Sequence, residues 1–293
     1  MTIKNKQTSF TLIELLVVIV IIGILAGVIM ISTSSSINKA NLAKAQAFSK
    51  TVQNELLLNL VSEWTFDDNS SRTKDSWGNN NGTALGTLEY YNSSSGNCVF
   101  GGCYYFSGDD YITTLPTNNL VLQNYTFSFW AKVSSFSQYH GLLEIYSASA
   151  TDNNYIGRFM TFGETSIRFH PSFHDNSNAY VQISNNQVDE WMYFVGTYNG
   201  LKGVVYKNGA YVQECNLAGP ITYFDSTYAN IGINAYASDR KFIGLIDDIR
   251  IYNTALSFSQ IKQNYIAGLD SLLSKGSISK EHYNQRLEAL AGK

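Results

Sequence analysis

From Phe10 to Ile31 the chain runs for 22 residues with a single charge, Glu14. As a helix this stretch measures about 33 Å at ~1.5 Å per residue, enough to cross the hydrocarbon layer of a membrane. Lys4 and Lys6 precede it with no acid between them, so the amino terminus stays cytoplasmic and the bulk of the chain goes outside. A cleaved secretory signal is a poor match, because the apolar run Leu15–Ile31 is 17 residues long and no A-x-A site follows it. A carboxylate in such a helix costs about 2.5–3.5 kcal/mol at the bilayer centre and less near the interface. Neither a signal peptide nor a plain anchor has a use for Glu14, so the residue needs another explanation.

Helical spacing continues beyond the apolar run. Ile37, Leu42, Ala45, Phe48, Val52, Leu56 and Leu60 recur on one face, with Lys39, Lys44, Lys50 and Glu55 on others. A helix over Phe10–Val61 is expected, about 78 Å long at ~1.5 Å per residue. Ser32–Ser36 is its weakest stretch by helix propensity.

After Trp64 the texture changes to short alternating runs cut by Gly, Asn, Asp and Ser. With 22 Gly but only 3 Pro, and with 20 Tyr and 16 Phe, the composition favours strands and tight turns over a helix bundle. The clearest signal is Trp191–Tyr198, Asn199-Gly200, Lys202–Tyr206, Asn208-Gly209 and Tyr211–Cys215. Asn-Gly between alternating runs predicts type I′ turns, in which both central residues need positive φ. Further strands are expected at Tyr125–Val133, Leu142–Tyr146, Tyr155–Phe162, Ser166–His170, Ala179–Ile183, Ala229–Ile233 and Phe242–Tyr252. About a dozen short antiparallel strands imply a double-sheet jelly roll.

The tail reads as two helices. Ile261, Tyr265, Leu269 and Leu272 are in helical register, Lys275-Gly276 is a stop signal, and Ser279 caps a second helix through Leu290. Covering the sandwich or the stalk is the ordinary role for such a hairpin.

Two family resemblances sharpen this picture. The segment Phe10-Thr11-Leu12-Ile13-Glu14-Leu15-Leu16, behind its basic leader, resembles the cleavage and methylation segment of type IV prepilins and type II secretion pseudopilins. The resemblance implies that a prepilin peptidase cuts between Ser9 and Phe10 and methylates the new amine. It also implies that Glu14 neutralises the terminal amine of a neighbouring pilin subunit. Where the family has Gly before the cut, this chain has Ser9, which is likewise small.

The second resemblance covers residues 62–256. Trp64-Thr-Phe-Asp-Asp, Asp75-Ser-Trp-Gly-Asn-Asn-Asn-Gly-Thr83, Tyr105-Phe-Ser-Gly-Asp-Asp-Tyr-Ile112, Tyr125–Lys132, Trp191–Asn208 and Gly244–Leu256 follow in the order of a laminin-G-like, concanavalin A-like domain. Such domains are mostly binding modules for glycans or proteins, frequently with a structural calcium. Carried over, the candidate calcium ligands are Asp67, Asp109, Asp110, Asp247 and Asp248, since calcium takes six to eight oxygens. Acids in turns also cap backbone N–H groups, which is the competing use. Trp77, Tyr139, Tyr155 and Tyr180 are candidates for stacking on sugar rings.

Cys98-Val-Phe-Gly-Gly-Cys103 straddles a turn, and outside the cytoplasm its two thiols can close a disulfide, leaving Cys215 unpaired. No catalytic constellation stands out. Glycosidases need two suitably spaced carboxylates, and no Glu-x-Asp-x-x-Glu run is present. The His170–His174 pair sits in a proline-containing loop without the helical spacing of a zinc pair. Residues 64–253 hold 17 acidic and 10 basic residues, net −7, which disfavours nucleic acid as a partner.

The expectation is therefore an α+β, non-enzymatic surface protein. It comprises a leader (1–9), a long transmembrane and stalk helix (10–61), an antiparallel β-sandwich (62–256) and a C-terminal helical hairpin (257–293). It would lodge in the bacterial inner membrane before assembly and then in an extracellular filament, exposing the sandwich for adhesion to a glycan or protein. The competing readings are a minor pilin or pseudopilin of a secretion machine, and a membrane-tethered lectin-like protein that never polymerises.

Overall fold

The alternating runs fold into fifteen strands in a computed structural model that describes residues 12–24, 56–68, 71, 73–136, 139–147, 155–162, 165–171, 179–184, 186–216, 226–234 and 239–291. The chain divides into two units, Met1–Asn54 and Glu55–Lys293.

In the first unit, residues 12–24 form helix α1, which contains Glu14 and exposes Leu12, Ile13 and the apolar residues that follow. Among the described residues no helix is long and apolar enough to cross a membrane. The Ser9–Phe10 junction and most of the expected stalk lie outside the described residues.

The second unit holds β1 (Leu60–Trp64), β2 (Gly82–Leu85), β3 (Glu89–Tyr91), β4 (Cys103–Ser107), β5 (Tyr111–Thr114), β6 (Tyr125–Val133), β7 (Gly141–Ser147) and β8 (Tyr155–Phe162). These are followed by β9 (Ser166–His170), β10 (Val181–Ile183), β11 (Trp191–Tyr198), β12 (Lys202–Lys207), β13 (Ala210–Asn216), β14 (Thr227–Ile231) and β15 (Ile243–Tyr252). One sheet has the order β13-β12-β11-β6-β15-β4-β3, with β1 also on β15; the other runs β10-β9-β8-β7-β14-β5-β2. Every ladder between named strands is antiparallel.

The long helix expected through Val61 stops short. Residues 56–59 are helical, but Leu60 already pairs with Tyr252 and Trp64 with Ile249. The reason is a shared residue: Leu60 completes both the helical spacing from Leu56 and the alternation Leu60-Ser62-Trp64, all buried. Ladder hydrogen bonds to β15 decide for the strand.

Period-2 alternation sends one set of side chains from each sheet into a common core. Phe129 of β6 meets Phe159 of β8 edge-on at 5.1 Å between centroids, and Phe159 stacks on Phe169 of β9 at 4.7 Å. The first of these contacts joins the two sheets, and the second lies within the seven-stranded sheet.

The two Asn-Gly turns differ. Asn208 and Gly209 have φ of 51° and 72°, the type I′ geometry. At the other, only Gly200 is left-handed, with φ 89°. The Asn199 side chain instead accepts the N–H groups of Leu201 and Lys202, at 3.1 and 2.9 Å, which makes a longer loop an alternative to the two-residue turn.

The tail forms helices α2 (Phe258–Ser274) and α3 (Lys280–Ala291). Ser257 and Gln260 make a reciprocal capping box at the start of α2. Gly276, with φ 72°, ends it, with Ser277 N–H reaching back to Leu272 O at 2.9 Å. Helix α2 buries Ile261, Tyr265, Leu269 and Leu272, and Tyr265 stacks on Trp130 of β6 at 5.7 Å. Full burial of such side chains stabilises by about 1.5–3 kcal/mol each. The hairpin thus closes the outer face of the larger sheet.

Candidate functional site

Helix α2 covers the larger sheet, and the outer face of the seven-stranded sheet carries polar side chains. Residues directly opposite in a ladder share a face. Thr83 pairs with Thr113, Thr113 with Asn230, Asn230 with Glu144, Glu144 with Arg158, and Arg158 with His170. One transverse row therefore takes a polar side chain from each of β2, β5, β14, β7, β8 and β9. The next row carries Met160, Arg168 and Gln182. On the other side Tyr146 and Tyr228 are cross-strand partners, 5.7 Å between ring centroids.

The cationic side chains sit at the β8–β10 end. Arg158 Nη1 lies 3.6 Å from Glu144 Oε1. Arg168 donates through Nε to Gln182 Oε1 at 3.1 Å, and its guanidinium lies 4.1 Å from the centre of the Tyr180 ring. His170 is 5.4 Å from the same ring. Burial, then the charges of Arg158 and Arg168, hold His170 down at about 3, so its imidazole is neutral at physiological pH. Tyr180 is 37% exposed and offers an aromatic surface beside a guanidinium and an amide. That combination suits a polyhydroxylated ring, whose C–H groups pack on the aromatic while its hydroxyls meet Arg168 and Gln182.

Glu144 is the single acidic residue in the seven strands of this sheet. General acid and base roles in glycoside cleavage require two carboxyl groups about 5–9.5 Å apart, so these strands do not supply the pair.

The structure distributes the other sequence candidates differently. Tyr180 joins the site, whereas Trp77 stands 48% exposed on a turn organised by Asp75. There Asp75 accepts the N–H groups of Glu63, Trp77, Gly78 and Asn80. Tyr139 lies under the Arg240 guanidinium at 4.7 Å. The side chain of Tyr155 and all of His174 lie outside the described residues. Glu144, Arg158, Arg168, Gln182 and Asn230 were missed as a group. Their signal is the polar half of each strand's alternation, which identifies a face but not which strands adjoin.

The five calcium candidates do not come together as one set. Asp110 accepts Ser107 N–H and Oγ–H at 3.0 and 2.9 Å, capping the β4–β5 turn. Asp248, left-handed at φ 50° in a bulge of β15, pairs with Arg250 at 2.9 Å. Burial raises Asp248 to about 6, against the opposing effect of Arg250. Asp247 Oδ2 accepts Val99 and Phe100 N–H at 2.8 and 2.9 Å, and Asp67 Oδ1 accepts Gly102 N–H at 2.5 Å. Lys241 donates to the backbone carbonyl of Asp109. Among the described residues no three His, Cys, Asp or Glu side chains form a metal-holding group. Cys98 and Cys103 are joined by a disulfide with Cα atoms 5.4 Å apart, and Cys215 is a free thiol.

Comparison with known proteins agrees with this architecture. A family model described as the concanavalin A-like lectin/glucanases superfamily matches residues 106–262, and one described as the prokaryotic N-terminal methylation motif matches residues 4–30. No curated protein matches the chain. Among solved structures, domain 4 of an extracellular arabinanase from Geobacillus stearothermophilus, determined with arabinotriose, is similar at 22% identity and TM-score 0.53, covering 70% of this chain and 97% of that one. The binding domain of botulinum neurotoxin serotype D is similar at 16% identity and TM-score 0.55, covering 73% of this chain and 53% of that one. The binding domain of Paraclostridial Mosquitocidal Protein 1 is similar at 15% identity and TM-score 0.54, with 73% and 53% covered. At these identities the likeness is one of fold, and the chain spans about half of each toxin domain.

Proposed function

Because the chain belongs to the concanavalin A-like lectin/glucanases superfamily and carries a prokaryotic N-terminal methylation motif, we propose that it is a type IV pilin-like subunit that displays a glycan-binding sandwich on a bacterial surface filament. The precursor waits in the inner membrane, a prepilin peptidase cuts between Ser9 and Phe10, and the apolar helix then packs with other pilin subunits. Glu14 neutralises the new terminal amine of a neighbour within the filament.

The observation that carries the binding role is the contrast between the two outer sheet faces. One is closed by Tyr265, Leu269 and Leu272 of α2. The other is polar: Asn230, Glu144 and His170 are buried in its row, Arg158, Arg168 and Gln182 are half-buried, and Tyr180 is its exposed aromatic. Glycan binding there proceeds without turnover, since hydrolysis needs a second carboxylate and Glu144 has none in the adjoining strands. Aromatic stacking and hydroxyl recognition select the ligand.

The test uses the full chain, purified in detergent after co-expression with a prepilin peptidase. Intact mass should match a methylated chain starting at Phe10. An uncut chain would remove the filament route and leave a membrane-tethered lectin-like protein. Binding is then titrated with oligosaccharides, arabinotriose first because the arabinanase domain was determined with it. The double variant Tyr180→Ala, Arg168→Ala should weaken binding at least tenfold with an unchanged melting temperature. No binding across a broad glycan panel, or equal binding by the variant, would overturn this assignment.

A further inference from the structure

The disulfide loop Cys98–Cys103 is held from two sides. On the sandwich side its N–H groups go to carboxylates: Val99 and Phe100 to Asp247, and Gly102 to Asp67. On the hairpin side its carbonyls receive donors: Ser271 Oγ–H on Val99 O, and the Lys275 ammonium on Cys98 O at 3.3 Å and on Phe100 O. Ser277 Oγ–H adds a bond to Gly96 O at 2.8 Å. Lys275 is the C-cap residue of α2, so the helix end itself reaches this loop.

The family resemblance implies calcium among these carboxylates, and the oxygens test that idea. Calcium takes six to eight oxygens at about 2.3–2.6 Å. Here Asp247 Oδ2 already accepts two N–H bonds, Asp67 Oδ1 one, and Asp248 Oδ1 an arginine. Each of those donors occupies lone pairs that a metal would need, and no group of three His, Cys, Asp or Glu side chains is placed to hold a metal among the described residues. The nearby carbonyls of Cys98 and Phe100 are engaged by a lysine. The residues present do not fit a calcium ion.

We propose that the Lys275 ammonium is the resident cation of this carboxylate-and-carbonyl pocket, cross-linking the end of α2 to the sandwich as a metal ion would. Asp247 is fully buried, and its Oδ1 has no hydrogen-bond partner among the described residues. A buried carboxylate needs a nearby cation to be tolerated when ionised. Asp248 is matched by Arg250, which Glu63 shares at 2.7 Å, and Lys275, held on the loop carbonyls, is a cation whose charge acts on Asp247 and Asp67. Burial lowers the pKa of the Lys275 amine, and the charges of Asp247 and Asp67 oppose that shift only in part. A divalent ion added beside this ammonium would meet its repulsion at close range. The second unit is therefore held together independently of divalent metal, and its stability depends on the α2 terminus instead.

Thermal unfolding of the full chain in detergent, followed by tryptophan fluorescence, tests this directly. With millimolar CaCl2 or with EDTA, the wild-type midpoint should move by less than about 1 °C. Lys275→Met, which keeps the stem and deletes the charge, should lower the midpoint by several degrees, of the order that about 1–2 kcal/mol causes in a chain this size. Lys275→Arg should recover most of the loss. A calcium-dependent rise of several degrees in the wild type would overturn the proposal. So would a Lys275→Arg variant as unstable as Lys275→Met, because packing and not charge would then be what matters. The wild-type measurement stands even where a variant fails to fold, and none of these outcomes depends on glycan binding.

Discussion

Gly268 of α2 lies flat against the indole of Trp130 on β6: a Cβ built on this glycine would come within 2.1 Å of the ring. The absence of a side chain sets how closely the helix approaches the larger sheet. It also lets Tyr265, one turn earlier, stack on the same indole. The hairpin is thereby a layer of the domain and not an appendage, although the matched family model ends at residue 262.

Gly268→Ala should push α2 off the sheet. Its helix propensity rises, but the overlap with a rigid ring outweighs that, for a net loss of about 1–3 kcal/mol. Chemical denaturation of the full chain would show a lower midpoint. A more stable variant would mean that α2 does not rest on Trp130 as described.

Asp75 is buried and accepts four backbone N–H groups, one of them from β1 and three from its own turn. Asp75→Ala strands these donors and should cost about 3 kcal/mol or more, while Asp75→Asn, which retains one acceptor oxygen, should cost less. Thermal melts of the two variants would rank them. Equal, small losses would show that water replaces the carboxylate.

His170 predicts a pH dependence. Its folded pKa, near 3, lies below the ~6.5 of an unfolded histidine. The unfolded chain takes up a proton that the folded chain refuses, so stability falls as pH drops through about 6.5 towards 3. Between pH 7 and pH 5 the loss is about 2 kcal/mol. His170→Gln should abolish that component, seen as a flatter stability difference between denaturation curves at the two pH values. Identical pH slopes in variant and wild type would assign the titration to other groups.

Glu14→Ala should leave membrane insertion intact, since it removes a charge from an apolar helix. Incorporation into filaments should drop. The ratio of cell-bound to sheared-filament protein measures this, and normal incorporation would argue against pairing of Glu14 with a neighbour's amine.

Much of the fold was legible in the chain because its causes are local. The run Trp191–Tyr198 alternates and ends in Asn-Gly, and it forms β11 with those bounds. Ser257, Gln260 and Gly276 mark the limits of α2 by capping chemistry that acts over three or four residues. The turn at Asn199 was misjudged for a local reason too: two N–H groups prefer its side chain to a tight hairpin. At Leu60, helix and strand patterns coincide, and only pairing with Tyr252 separates them.

The sequence by itself determined the strand runs from Tyr125 onward, the apolar segment around Glu14, the close pair Cys98 and Cys103, and the two tail helices, all through spacing, turn residues and caps. Only the tertiary structure decided that Asn230 would stand between Glu144 and Thr113, or that Lys275 would meet the loop at Cys98. Those neighbours are dozens of residues apart or more. Which strands adjoin, and which donor reaches a given carboxylate, is settled by packing the whole core, because no local pattern carries the energy difference between one non-local pairing and another.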